Sequence, residues 1–331
     1  MCIDKLRGLL YRILITGYAE GLGICMFKKL RVAFLLAAIA MLSTVVAACG
    51  SSTSSSPTPT TVASLGTPGA YTCEQGSITA AGSTALEPLV SAVAKKYQAK
   101  CSGASITVNL GGSGTGLANA ENGSADIGNS DIFSKTGQED LVDHQVAVVI
   151  FDLIVNSQVT GVTSLTTDQL KGIYSGQITN WKDVGGPDLG IVVVSRPTSS
   201  GTRATFQKYV LGTVETISGP ADLSTDSTGT VVKNVQQTAG AIGYAASGPA
   251  KQSGLTVLQI DKVASSAANV EKNSYKFWNI EHMYTKGKAK PLAQALIDYM
   301  TSADGKSAAQ SLDFIAITDI TQATLQTHES H

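Results

Sequence analysis

From Ser77 onward the apolar and polar positions alternate between two periods. Ser77-Ile-Thr-Ala-Ala81 reads as a short strand. After Gly82-Ser83-Thr84, the apolar residues Leu86, Leu89, Val90, Val93 and Tyr97 recur at steps of three and four. That spacing predicts a helix over 85–100 with one face on a sheet, and Glu87 and Pro88 fall in its first turn, where both are favoured. A second strand is expected over 105–109, and the glycine-rich loop 110–116 opens a short helix through Asn122. Residues 125–131 read as a strand end and its loop, followed by a helix over 138–144. The continuous apolar run 146–155 suits a strand covered on both faces. A second set follows: a helix over 167–174, a strand over 191–195, a helix over 201–210, a helix over 230–238 and the segment Gly240-Ala-Ile-Gly-Tyr244. An extended stretch over 273–283 and a helix over 291–300 precede a short tail rich in serine and alanine. The long strand near residue 154 and the extended stretch near 278 predict two crossings between lobes. Lobe 1 would comprise 76–154 and 279–325, and lobe 2 would comprise 155–278. The fold class is α/β, with two lobes, each a central sheet flanked by helices, facing a cleft.

The first 75 residues have a different character. Met26-Phe-Lys-Lys-Leu-Arg31 is basic, residues 32–46 are apolar, and Val46-Ala-Ala-Cys49 ends the run with small residues and a cysteine. This reads as a secretory signal over residues 1–48, too short for a comfortable membrane span, and it resembles a bacterial lipobox with Cys49 as the acylated residue. The pattern is complete from Met26, which suggests translation starts there. Gly50 to Thr61 is almost entirely Ser, Thr and Pro, with too few apolar groups to offset the entropy of ordering. Residues 49–75 are therefore expected to tether an extracytoplasmic domain to the cell membrane.

Composition narrows the chemistry. A formal net charge of -1 gives no field for polyanions, so nucleic acid is excluded as a partner and any anion must meet a local site. Four histidines, two of them among the last four residues, leave little for a metal cluster or a histidine-based hydrolase. No cofactor, no metal and no catalysis are expected, and the protein is read as a monomer. Cys73 and Cys101 face an oxidising compartment and read as one disulfide, with two free buried thiols as the alternative.

Three loops share one design, in which a strand ends, Gly and Ser/Thr follow, and a helix begins: Gly82-Ser83-Thr84, Gly112-Ser113-Gly114-Thr115-Gly116 and Ser199-Ser200-Gly201-Thr202. Helix starts present unpaired N–H groups and a partial positive charge, and hydroxyls add donors, so convergent loops would form a socket for a small tetrahedral oxyanion. Each loop alone could equally be a capped helix. Arg196 adds a planar fork of donors that fits phosphate bidentately. Asp131 would repel an anion unless that anion carries a proton, which phosphate at neutral pH does and sulfate does not. Competing motifs fail on their residues. Gly111 to Gly116 is followed by Leu117-Ala118 where a nucleotide phosphate loop needs Lys-Ser/Thr. A dinucleotide fingerprint fails at Leu117, and Ser113 lacks the glycine of a nucleophile elbow.

Gly82-Ser-Thr-Ala-Leu86, Gly111 to Gly116, Ala125-Asp-Ile-Gly-Asn-Ser-Asp131, Ser195-Arg-Pro-Thr-Ser-Ser-Gly-Thr202 and Gly240 to Tyr244 together resemble the phosphate-binding lipoproteins of bacterial phosphate ABC transporters, over nearly all of 76–320. The resemblance implies a two-lobe periplasmic-binding-protein-like fold that captures inorganic phosphate and hands it to a membrane permease. It implies phosphate ligands at Thr84 and Ala85, with Ser83 adjacent, at Ser113, at Asp131 as proton acceptor, and at Arg196, Ser200, Gly201 and Thr202. A surface phosphomonoesterase using Ser200 or Thr202, or an oxyanion sensor, would fit the same scaffold. Two departures stand out: Ala85 where some members have phenylalanine, and Thr198 where some have an aspartate that would partner the arginine. The second is expected to leave Arg196 without its acid.

Overall fold

The computed structural model describes residues 71–216 and 223–330. The signal region, the Met26 start, Cys49 and all but the last five residues of the tether lie outside them.

The chain opens with β1 (Gly76–Gly82), α1 (Glu87–Lys100), β2 (Ala104–Leu110), α2 (Ser113–Asn122), β3 (Ile127–Ser130) and the long β4 (Leu141–Val155). A second series follows: β5 (Ser164–Leu165), α3 (Thr167–Tyr174), β6 (Val192–Val193), α4 (Gly201–Phe206), α5 (Thr228–Gln237), β7 (Ala241–Ala246), α6 (Ser247–Gln252), β8 (Thr256–Ile260) and α7 (Ala267–Glu271). The chain then returns through β9 (Trp278–Lys286), α8 (Pro291–Met300), α9 (Ala303–Ser311), β10 (Phe314–Ala316) and α10 (Gln322–Glu329).

The strands run in the order β2-β1-β3-β9-β4-β7-β6, with β10 and β8 also on β4 and β5 on β8. β1 is parallel to β2 and β3, and β6 is parallel to β7, as crossover helices require. β4 joins the two lobes. Its residues Leu141 to Ile150 pair antiparallel with β9, and Phe151 to Val155 pair with β7. Its run from Val146 to Val155 is buried throughout, which explains the unbroken apolar sequence. Phe151, Tyr174, Phe206, Tyr244 and Phe277 form an aromatic cluster with centroids 4.7–5.1 Å apart along the chain of contacts Tyr174–Phe206, Phe206–Tyr244, Phe206–Phe277 and Phe151–Phe277. Phe206 ends α4, so the cluster fixes that helix against the sheet.

The helix expected over 138–144 is instead the start of β4. Leu141 to Gln145 pair with Lys286 to His282 of β9, with a register irregularity before Ala147. Pairing with a remote strand overrides the weak local preference of a polar segment. The supposed Ser/Ala tail holds α9, β10 and α10. Gly305 explains why small residues serve there, since a Cβ would lie 2.1 Å from the Met300 carbonyl oxygen. The helix expected over 201–210 is α4 followed by a π turn, Gln207–Leu211.

Cys73 and Cys101 are bridged, with Cα atoms 5.1 Å apart, tying the segment before β1 to the end of α1. Tyr97 strengthens the same junction: its hydroxyl donates to the Thr72 carbonyl and accepts from the Glu74 N–H, both at 2.8 Å. The bridge closes a span of 28 residues, for which restriction of the unfolded chain contributes about 3 kcal/mol. Replacing both cysteines by serine is expected to lower the midpoint of thermal unfolding by roughly 5–10 °C without changing anion binding, which a melt and a titration would check together.

Candidate functional site

The three loops singled out in the sequence meet at the carboxyl ends of β1, β2 and β6, joined by the loop after β3. This is where open α/β sheets place ligands. Close approach depends on glycine. Gly112 has φ +79°, and a Cβ there would lie 2.3 Å from Asp226 Oδ2; a Cβ on Gly201 would lie 2.2 Å from Ser113 Oγ.

Ser83 Oγ accepts from the N–H groups of Ala85 (3.1 Å) and Leu86 (3.0 Å) and donates to Asp131 Oδ1. Ser113 Oγ, in the first turn of α2, accepts from the Asp131 N–H at 2.9 Å, so the backbone of one loop rests on the side chain of another. Asp131 is 2% exposed, and its Oδ2 accepts from Thr202 Oγ1 at 3.1 Å. Arg196 is 1% exposed. Its Nη1 donates to Thr202 Oγ1 (3.0 Å), and its Nη2 donates to Thr84 Oγ1 (2.8 Å) and the Asp226 carbonyl (2.5 Å). Ser200 caps α4 by accepting from the Arg203 N–H at 3.3 Å, and Gly114 N–H donates to the Ser199 carbonyl at 2.9 Å. All nine predicted residues thus lie in one connected cluster, with Ala85 entering through its N–H and Gly201 through its lack of a side chain.

Four contributors were not read from the sequence. Asp226 stands 3.5 Å from Arg196 Nη2, so the arginine that Thr198 was expected to leave unpartnered has its carboxylate from another segment. Thr228, at the start of α5, lies 3.0 Å from Thr84 Oγ1. Its segment, Thr225-Asp226-Ser227-Thr228-Gly229, repeats the hydroxyl-rich, helix-opening design of the other three loops, and that was the available signal. Arg203 Nη1 donates to the Arg196 carbonyl at 2.5 Å. Glu215, buried, accepts from Ser195 Oγ and Tyr244 OH, both at 2.6 Å, and lies 3.5 Å from Arg203 Nε. Burial pushes the Glu215 carboxyl above its usual range, against the pull of Ser195, Tyr244 and Arg203. Together these groups hold the Arg196 backbone from behind.

The result is a buried wall of donors: a guanidinium, the hydroxyls of Ser83, Thr84, Ser113, Thr202 and Thr228, and helix-start N–H groups. Two carboxylates are set among them: Asp226, beside Arg196, and Asp131, which no cation accompanies among the described residues. Such a wall suits an oxyanion that still carries a proton.

Residues 66–304 match the PBP superfamily domain. The chain is 44% identical over 250 residues to the phosphate-binding protein PstS of Bacillus subtilis strain 168, covering 74% of this chain and 82% of that one. It is 26% identical over 250 residues to PstS of Borreliella burgdorferi, covering 71% and 88% of the two chains. Among solved structures, a Clostridium perfringens substrate-binding protein assigned to phosphate ABC transport, solved with bound phosphate, superimposes with a TM-score of 0.68 at 31% identity, over 73% of this chain and 100% of that one. An ABC-type phosphate transport receptor from Vibrio cholerae superimposes with a TM-score of 0.59 at 28% identity, over 72% and 99%.

Proposed function

We propose a function from the premise that this chain belongs to the PBP superfamily and, within it, to the family of PstS phosphate-binding proteins: it captures inorganic phosphate outside the cytoplasm and delivers it to an ABC-type importer. The observation that carries the reading is Asp131, a buried carboxylate inside a wall of donors. A fully ionised anion would meet its charge uncompensated, whereas phosphate can donate a proton to it.

In this reading Arg196 grips two phosphate oxygens through its fork. Thr84, Ser113, Thr202 and the N–H groups beside Ala85 and Gly201 take the rest, with Ser83 and Ser200 orienting the loops. The hydroxyls of Ser200 and Thr202 act as ligands and orienting groups, not as nucleophiles, so no covalent step occurs. Lobe 1, residues 76–154 and 279–325, carries Thr84, Ser113 and Asp131; lobe 2, residues 155–278, carries Arg196 to Thr202. Phosphate bound to one lobe draws in the other by rotation at the crossings near Ile150 and Trp278, where the pairing of β4 passes from β9 to β7. The closed protein, a monomer held to the membrane through lipidated Cys49, then docks on the permease.

Calorimetric titration of the purified protein tests this. Micromolar or tighter phosphate binding without sulfate competition is expected, and Asp131→Asn should narrow the gap between phosphate and sulfate by about tenfold or more. Sulfate binding as tight as phosphate would refute the reading.

A further inference from the structure

Glu281 sits on β9, opposite Ala147 of β4 and one residue before His282, which pairs with Ser130 at the end of β3. It is fully buried, and neither carboxyl oxygen has a donor among the described residues. The antiparallel register of β3 on β9, Asn129 on Met283 and Ser130 on His282, carried one residue further sets Asp131 opposite Glu281, so the two carboxyls face each other. The elements packed around it bring no compensating cation. β3 leads into Asp131. α2 carries Glu121, which is held by Gln138. α4 carries Arg203, which is turned to Glu215 and the Arg196 carbonyl. On β4, Asp143 pairs with His282, and His144 bonds Thr285. A buried carboxylate with neither donor nor cation is strongly disfavoured, and a neighbouring carboxylate disfavours it further.

We propose that Asp131 and Glu281 act as one carboxyl pair holding a single proton, and that Glu281 thereby sets the charge that phosphate meets at the base of its socket. The proposal rests on the phosphate reading and deepens it. Glu281 keeps the proton and donates it to Asp131, and Asp131 remains the acceptor for the proton that phosphate brings. Burial, and next the charge of Asp131, hold the Glu281 carboxyl well above its usual range, in keeping with this division. Once Glu281 ionises, a second negative charge lies beneath a dianion, so binding draws a proton from solution and affinity falls as pH rises.

Two measurements decide it, both taken from about pH 8 to about pH 10, where phosphate is predominantly the dianion that carries one proton. Titration of inorganic phosphate into the wild type and Glu281→Gln is expected to show the affinity of the variant rising about tenfold or more relative to wild type across that range. Glutamine keeps a donor toward Asp131 and cannot ionise. Titration of the wild type in buffers of different ionisation enthalpy needs no variant, and it should show proton uptake growing toward about one per phosphate. A constant ratio between the proteins, or no proton uptake, overturns the proposal while leaving phosphate binding intact. A wild type that fails to bind phosphate at neutral pH overturns the phosphate reading instead, and this proposal with it.

Discussion

Arg196→Ala is expected to weaken phosphate binding by roughly 10²–10⁴-fold, equivalent to about 3–5 kcal/mol. The guanidinium is buried and holds Thr84, Thr202 and the Asp226 carbonyl at once, with the Asp226 carboxylate 3.5 Å away. Truncation therefore removes the fork that would grip phosphate, and it also leaves Asp226 as a carboxylate facing the incoming anion without compensation. Both effects act in the same direction. Arg196→Lys keeps the charge but loses the planar, two-pronged geometry, so it should fall between the wild type and alanine. Calorimetry gives the affinities, and a thermal melt shows whether the fold survives. Binding by the alanine variant within about threefold of wild type would remove Arg196 from the site.

Gly116→Ala is expected to cost more than about 3 kcal/mol of stability, read as a fall of roughly 10 °C in the melting midpoint. A Cβ at this position would lie 2.3 Å from the Asn129 carbonyl oxygen and 2.9 Å from both the Ala81 carbonyl oxygen and Gly82 Cα. All three are backbone atoms of β1 or β3, so nothing flexible can move aside. Gly128 faces the same junction from the sheet, where a Cβ would lie 2.3 Å from the Gly116 carbonyl oxygen. α2 thus rests backbone to backbone on the sheet, and a methyl group between them would lift Ser113 from the Asp131 N–H. Phosphate binding should weaken along with stability. An alanine variant that melts within about 2 °C of wild type would show that the helix can shift without penalty.

The contrast between what the sequence showed and what it hid follows from the range of each interaction. The loops at Gly82, Ser113 and Ser200 were legible because the residues that shape a strand-to-helix turn are adjacent in sequence and few in type. The amphipathic stripe of α1 was legible for the same reason. The start of β4 was not, because Leu141 to Gln145 become a strand only by pairing with residues 282–286. Asp226 was hidden by distance along the chain: nothing in Ser-Thr-Asp-Ser-Thr says that its carboxylate reaches Arg196. Glu281, between Ile280 and His282 in a stretch of mixed polarity, reads as an ordinary outward-facing acid. Only the placement of β9 between β3 and β4 buries it.

That placement also dictates the order in which the molecule can be assembled. β3 and β4 are close in sequence, yet the strand that belongs between them is made only after the whole of 156–277 has emerged. Until then the first lobe has two raw strand edges and no floor beneath Asp131, a surface prone to pairing with other chains. A chain cut short before Trp278 therefore cannot complete the sheet of the first lobe. The socket gains its floor only when the returning strand slots home and closes the sheet from within.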